Sequence, residues 1–143
     1  MMKRDLKTVA ILMRASRRIE DIIRQDIQAH GLTLSEFGTL EALFHKGTLT
    51  VAEVIEKILV PHSSMSYVIE RLLEKGLIEK KQDDDDRRVY RLSLTKTGSD
   101  YVAAVYPIHE KALRTVLDSL SEQEEETLQC LLKKIGKRNK PVQ

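Results

Sequence analysis

A chain of 143 residues, 41% hydrophobic and 32% charged, can close one domain with a buried core, or one domain plus helices for self-association. Aromatics are 4% and tryptophan is absent, so the core must be aliphatic; the single cysteine, Cys130, excludes an intrachain disulfide framework and fits a reducing, cytoplasmic setting. A net charge of +2 is too small to argue a nucleic-acid partner from totals, and there is neither an apolar N-terminal run of signal length nor a stretch long enough to span a membrane.

The pattern predicts a long helix over Lys3 to His30. Leu12, Ala15, Ile19, Ile22, Ile23 and Ile27 form its apolar stripe, Arg14, Arg17, Arg18 and Arg24 decorate the rest as a solvated face, and Gly31 is the stop. Thr33-Leu34-Ser35-Glu36 has the form of a capping box, opening a helix with Phe37, Leu40, Leu43 and Phe44 inward that ends near Gly47. Thr48 and Leu49 offer a minimal strand. Thr50-Val51-Ala52-Glu53 repeats the box and opens a short helix with Val51, Val54, Ile55 and Ile58 inward.

Pro61 to Lys75 reads as an amphipathic helix. Met65, Val68, Ile69, Leu72 and Leu73 make its apolar face, opposite His62, Ser63, Ser64, Ser66, Tyr67, Glu70 and Arg71. Gly76 ends it in a left-handed cap. Leu77 to Gln82 and Val89 to Leu94 follow as strands, with Tyr90, Leu92 and Leu94 alternating with Arg91 and Ser93 around a polar loop, Asp83 to Arg88. A polar-faced helix followed by a charged hairpin predicts a winged helix: the helix fits a major groove, and the hairpin tip reaches phosphates or the minor groove.

A second long helix spans Thr95 to Leu120, with Tyr101, Val105, Ile108, Ala112, Val116 and Leu120 as its stripe and Pro107 expected to kink or break it. Ser121-Glu122-Gln123-Glu124 is a third capping box, followed by the stripe Leu128, Leu131, Leu132 and Ile135, and Lys137 to Gln143 reads as a frayed tail. The expected class is mainly α with a small β-hairpin wing (α+β). A winged helix-turn-helix lobe covers about residues 32–96, and helices over about 3–30 and 97–138 form a dimerisation region. The terminal stripes need a partner, and the same helices of a second copy would bury them in a two-fold dimer. Two recognition helices related by a dyad match palindromic double-stranded DNA, with half-sites about one turn (roughly 10 bp) or a multiple apart.

ERLLEKGLIEKKQDDDDRRVYRLSLTKTG resembles the helix end, wing and following helix start of the MarR family of bacterial transcription regulators. Its most specific part is Asp86-Arg87-Arg88 followed by Leu92-Ser93-Leu94-Thr95-Lys96-Thr97-Gly98, and LTLSEFGTLEAL (Leu32 to Leu43) resembles the family's second helix. The resemblance implies a homodimeric winged helix-turn-helix repressor, often released from DNA when a small, frequently phenolic, effector binds between the dimerisation helices and the DNA-binding lobe. ILVPHSSMSYVIERLLEKGLI is similar to members answering quinones, hydroquinones or catechols. Two positions depart from the family pattern: Pro61 stands where a Ser cap is usual, and Tyr67 where Arg is common.

The resemblance also implies that Arg88 enters the minor groove, steadied by Asp86. A carboxylate can hold the guanidinium extended, so that less freedom is lost on binding; the plainer reading is an exposed pair of little energy. Arg87 is expected at a phosphate, and Asp83, Asp84 and Asp85 as turn formers. Ser63, Ser64, Ser66 and Tyr67, with His62 and Arg71, are the DNA-facing set, against the alternative of a wetted helix face. Thr50 serves either as a cap alone or also as a phosphate contact. Met13, Arg17, Tyr101 and Tyr106 lie on helices that can line an effector cleft, with core or surface roles as the alternative. Cys130 reads as a buried or interfacial thiol. His30, His45, His62 and His109 have no metal-ligand spacing, and no catalytic constellation or cofactor motif stands out. The competing readings are a winged-helix module that meets a protein, and a metal- or redox-responsive regulator.

Overall fold

The computed structural model describes residues 5–58 and 64–137. Six helices and three strands follow in the order α1 (Lys7–Ala29), α2 (Leu34–Lys46), β1 (Leu49–Thr50), α3 (Val51–Lys57), α4 (Met65–Glu74), β2 (Ile78–Gln82), β3 (Tyr90–Leu94), α5 (Lys96–Leu117) and α6 (Glu122–Gly136). The strands make one antiparallel sheet in the order β1-β3-β2, with Leu49 opposite Leu92 and Ile78 opposite Leu94. This is the mainly helical fold with a small wing that the sequence predicts.

The helix starts follow their caps. Thr50 and Ser121 each accept a bond from the amide of the third helical residue, and Glu53 and Glu124 reach back to the cap amides, so both boxes are complete. Thr33 makes half a box. Its hydroxyl accepts from the Glu36 amide at 3.2 Å, but the Glu36 carboxylate turns to Lys75 Nζ, 2.6 Å away at the end of α4. A tertiary ion pair has taken the place of the local one. At the end of α4, Gly76 takes φ +69°, and the Leu77 amide returns to the Leu72 carbonyl at 3.1 Å, the expected left-handed stop.

The core joins α2, α3, α4 and the sheet, where Leu40, Val54, Leu72 and Leu92 are fully buried. Residues 34–95 do not close it alone, because Ile27 of α1 and Val102 and Val105 of α5 belong to the same cluster. Several inward assignments shift. Ile55 and Leu73 lie on exposed flanks of α3 and α4, and Phe44 is exposed beside His45 and Tyr106. The inner face of α5 is turned from the expected stripe: Gly98, Val102, Val105 and His109 are buried, whereas Ile108 is 56% exposed. Pro107 does not break α5, which runs continuously from Lys96 to Leu117.

Gly98 sets the joint between wing and α5. A β-carbon there would collide with the Leu77 carbonyl oxygen, which accepts from the Thr95 amide at 3.1 Å; the Thr95 hydroxyl donates to the Gly76 carbonyl at 2.7 Å. The two terminal regions differ from this packed centre. Leu6 at the N-cap of α1 and Val9, Ile11 and Met13 in its first half are exposed, and α6 buries no residue. Among the described residues, no helix is long and apolar enough to cross a membrane.

Candidate nucleic-acid interface

Helix α4 buries Val68, Ile69 and Leu72 and so turns Ser66, Tyr67, Glu70 and Arg71 outward. Tyr67 is 62% exposed, and Arg71 lies 3.7 Å from Glu74 on the same surface. Ser64 is the N-cap of α4 but makes no side-chain cap bond, so its hydroxyl is not committed to the helix. His62 and Ser63, expected on this face, lie outside the described residues. At the other end, the Glu36–Lys75 pair ties α4 to the start of α2. The Glu36 side chain is almost fully buried, so this contact fixes the tilt of the exposed face. The two residues stand 39 apart, and the capping-box pattern hid the pairing.

The wing is built by two aspartates with different tasks. Asp83 Oδ2 accepts from the amides of Asp85 and Asp86 at 3.2 and 3.0 Å, and its Oδ1 accepts from Arg91 Nε at 2.9 Å. The Arg91 guanidinium first, and the Asp86 amide second, hold the Asp83 carboxyl below its usual range. Asp83 is thus more than a turn former: it links the loop to β3. Asp86 holds Arg88, accepting its backbone amide at 3.0 Å and its Nε at 3.2 Å through one oxygen, and its Nη2 at 3.4 Å through the other. The Arg88 side chain is nevertheless 90% exposed, so its bonds orient it without burying it. Arg87 is exposed at the tip and its carbonyl accepts from Gln82 Nε2 at 2.8 Å. Lys80 sits over the Tyr90 ring, 4.4 Å from its centroid, along the flank of the hairpin.

Thr50 caps α3 and also pairs with Arg91 across β1 and β3. Within the cap its hydroxyl oxygen only accepts, which leaves the hydroxyl proton for a phosphate. Exposed Ser66, Tyr67, Arg71, Arg87 and Arg88 together with Thr50 supply donors and positive charge from helix, helix start and wing.

A cavity of about 320 Å³ lies between α1, α2, α5 and the end of α3. Its apolar wall is Ile23, Leu34, Phe37, Ile58 and Leu113, with His109 set among them, His45 at the rim, and Glu41, Lys46 and Lys57 adding charge. None of the four effector-cleft candidates is among the lining residues. Met13 and Arg17 are exposed on α1. Tyr101 donates its hydroxyl to the His30 carbonyl at 2.8 Å, and Tyr106 packs on His45 with 4.8 Å between ring centroids. Burial pushes the pKa of both phenols up and so disfavours their ionisation, helped by Glu36 at Tyr101 and by Glu41 and Glu110 at Tyr106. His109 and Asp26, which meet here, are 83 residues apart, and no local spacing announces them. Cys130 is exposed in the single chain, not buried. Among the described residues, no group of His, Cys, Asp and Glu is placed to hold a metal.

A helix pair packed beneath an exposed third helix, followed by a hairpin tipped with arginines, defines a winged helix-turn-helix DNA-binding protein. A sequence model described as MarR family matches residues 30–89. The chain is 35% identical over 136 residues to the HTH-type transcriptional regulator MhqR of Bacillus subtilis, covering 95% of this chain and 94% of the relative. It is 29% identical over 108 residues to the HTH-type transcriptional repressor MdtR of the same organism, covering 76% of this chain and 70% of that one. In structure it is similar to BpsR of Bordetella bronchiseptica, whose DNA binding is regulated by 6-hydroxynicotinic acid. The TM-score is 0.82 at 26% identity, over 97% of this chain and 100% of that one. The chain belongs to the MarR family, and is a DNA-binding transcriptional regulator rather than an enzyme.

Proposed function

We propose that the protein is a homodimeric, cytoplasmic repressor of a palindromic operator, released by a small aromatic effector. The observation that carries this reading is Arg88: a guanidinium held in place by Asp86 yet almost wholly exposed is pre-oriented for a groove. On this reading Arg88 enters the minor groove, and Arg87 and Thr50 meet phosphates. Ser64, Ser66, Tyr67 and Arg71 face the major groove, together with His62 and Ser63. Residues of about 32–96 form the reading lobe, and the helices before and after it join two copies. The unburied stripe of α6 and the exposed start of α1 support self-association. The cavity between α1, α2 and α5 supports effector binding, since it touches both the dimerisation helices and the helix that anchors α4. MdtR and BpsR, a repressor and a regulator answering a small aromatic acid, support the same reading.

The test is selection of bound duplexes from random sequence, followed by affinity measurements across salt. The expected site is an inverted repeat with half-sites about one turn (roughly 10 bp) or a multiple apart. Affinity should fall with a log–log salt slope of about −0.9 per phosphate contacted. Failure to enrich any duplex, with the winged lobe meeting a protein instead, would overturn the reading.

A further inference from the structure

The cavity wall contains one deeply buried titratable side chain. His109 is 3% exposed, and its Nδ1 lies 2.8 Å from Asp26 Oδ2. The Phe37 ring packs against the imidazole, with 4.4 Å between centroids and 49° between planes. Carboxylate and ring together fix both the edge and the plane of the imidazole. Nε2 of His109 has no hydrogen-bonding partner among the described residues, and the residue lines the cavity.

We propose that His109, positioned by Asp26, is the specificity-determining residue of the effector site. It accepts a hydrogen bond at Nε2 from an N–H or O–H group of a flat ligand. The proposal rests on the effector reading of the cavity given above. An ionised carboxylate can only accept, so Asp26 requires the proton of the imidazole to sit on Nδ1. In the neutral ring Nε2 then carries a lone pair, and the partner on one nitrogen decides what the other can do. Asp26 cannot serve the dyad alone, because His30 Nε2 stands 3.9 Å from its other oxygen, buried and without a hydrogen-bond partner. A ligand with acceptors only would set lone pair against lone pair.

Indole and N-methylindole make the test, since they share a ring system and differ in the one donor. Each is titrated into the full-length protein, with affinity read by calorimetry and location by the methyl resonances of Ile23 and Leu113. Indole should bind about three- to tenfold more tightly, the range of a single net hydrogen bond. In His109→Phe the two probes should bind alike. In the unaltered protein, nitrogen chemical shifts of His109 should report the Nδ1–H tautomer, and the Nε2 signal should move with indole but not with N-methylindole. Equal binding of both probes, or an imidazolium or Nε2–H tautomer, overturns the role of His109 and leaves the effector site standing. If neither probe perturbs the cavity methyls, the effector reading itself fails, and this proposal fails with it.

Discussion

The reading lobe and the terminal helices use the same apolar periodicity to different ends. In the lobe, the stripes of α2, α3, α4 and β3 meet one another, and Leu40, Val54, Leu72 and Leu92 lose all contact with water. Its polar groups are also mutually engaged: Glu36 with Lys75, Asp83 with Arg91, Asp86 with Arg88. In α6 the periodicity is as regular, yet Leu128, Leu131, Leu132 and Ile135 stay between 37% and 62% exposed. A stripe that finds its match in its own chain becomes core. One that does not stays open to solvent or to another molecule, and local sequence cannot distinguish the two.

The largest effect that would sharpen this contrast is expected from α6. Leu131→Asp combined with Ile135→Asp should dissociate the proposed dimer, seen by sedimentation. Operator affinity should fall by on the order of 100-fold, because each buried aliphatic side chain contributes roughly 1.5–3 kcal/mol. A variant that stays dimeric would break the comparison. Within the lobe, Arg88→Ala should weaken operator binding by about 1–3 kcal/mol and leave thermal stability unchanged. Asp86→Asn should lose only part of that, since the arginine remains but is no longer held. Glu36→Gln leaves Lys75 without its carboxylate and should cost roughly 1–3 kcal/mol of folding stability in urea titrations; no change would mean that α4 is tied down by packing alone.

The smallest expected effect is at Asp83. Its folded carboxyl lies below the ordinary value of 3.8, with Arg91 the main cause. A depressed carboxylate stabilises the wing fully above its unfolded value and loses that contribution as pH falls through the folded one. The Asp85 and Asp86 amide resonances should therefore hold steady down to about pH 5 and shift only below about pH 4. A midpoint above the ordinary carboxylate range would contradict the Asp83–Arg91 link.

The elements were legible because their signals are local. Three capping residues, the left-handed Gly76 and the alternation through β3 each depend on neighbours within a few positions. What was not legible depends on distance along the chain. Glu36 reads as half of a capping box until Lys75 is brought beside it. His109 reads as a stray histidine until α5 rotates it toward Asp26, and the same rotation moves Ile108 outward. The wing's arginines and aspartates were visible as a cluster, but not the division of labour between Asp83 and Asp86. The family likeness suggested the proposed DNA-facing set and the general place of an effector cleft; neither it nor residue spacing singled out His109 and Asp26.

Helix α5 begins on the wing, where the absent side chain of Gly98 lets it sit directly against the Leu77 carbonyl, and it runs 22 residues toward the chain ends. That makes a rod about 33 Å long with one end welded to the hairpin. A pivot of roughly 5° at its far end would swing the arginine tip by about 3 Å, the span of one hydrogen bond. In the proposed dimer, stiffness at a single hydrogen-sized residue would convert a slight change of angle between two subunits into a grip that either reaches the groove or misses it.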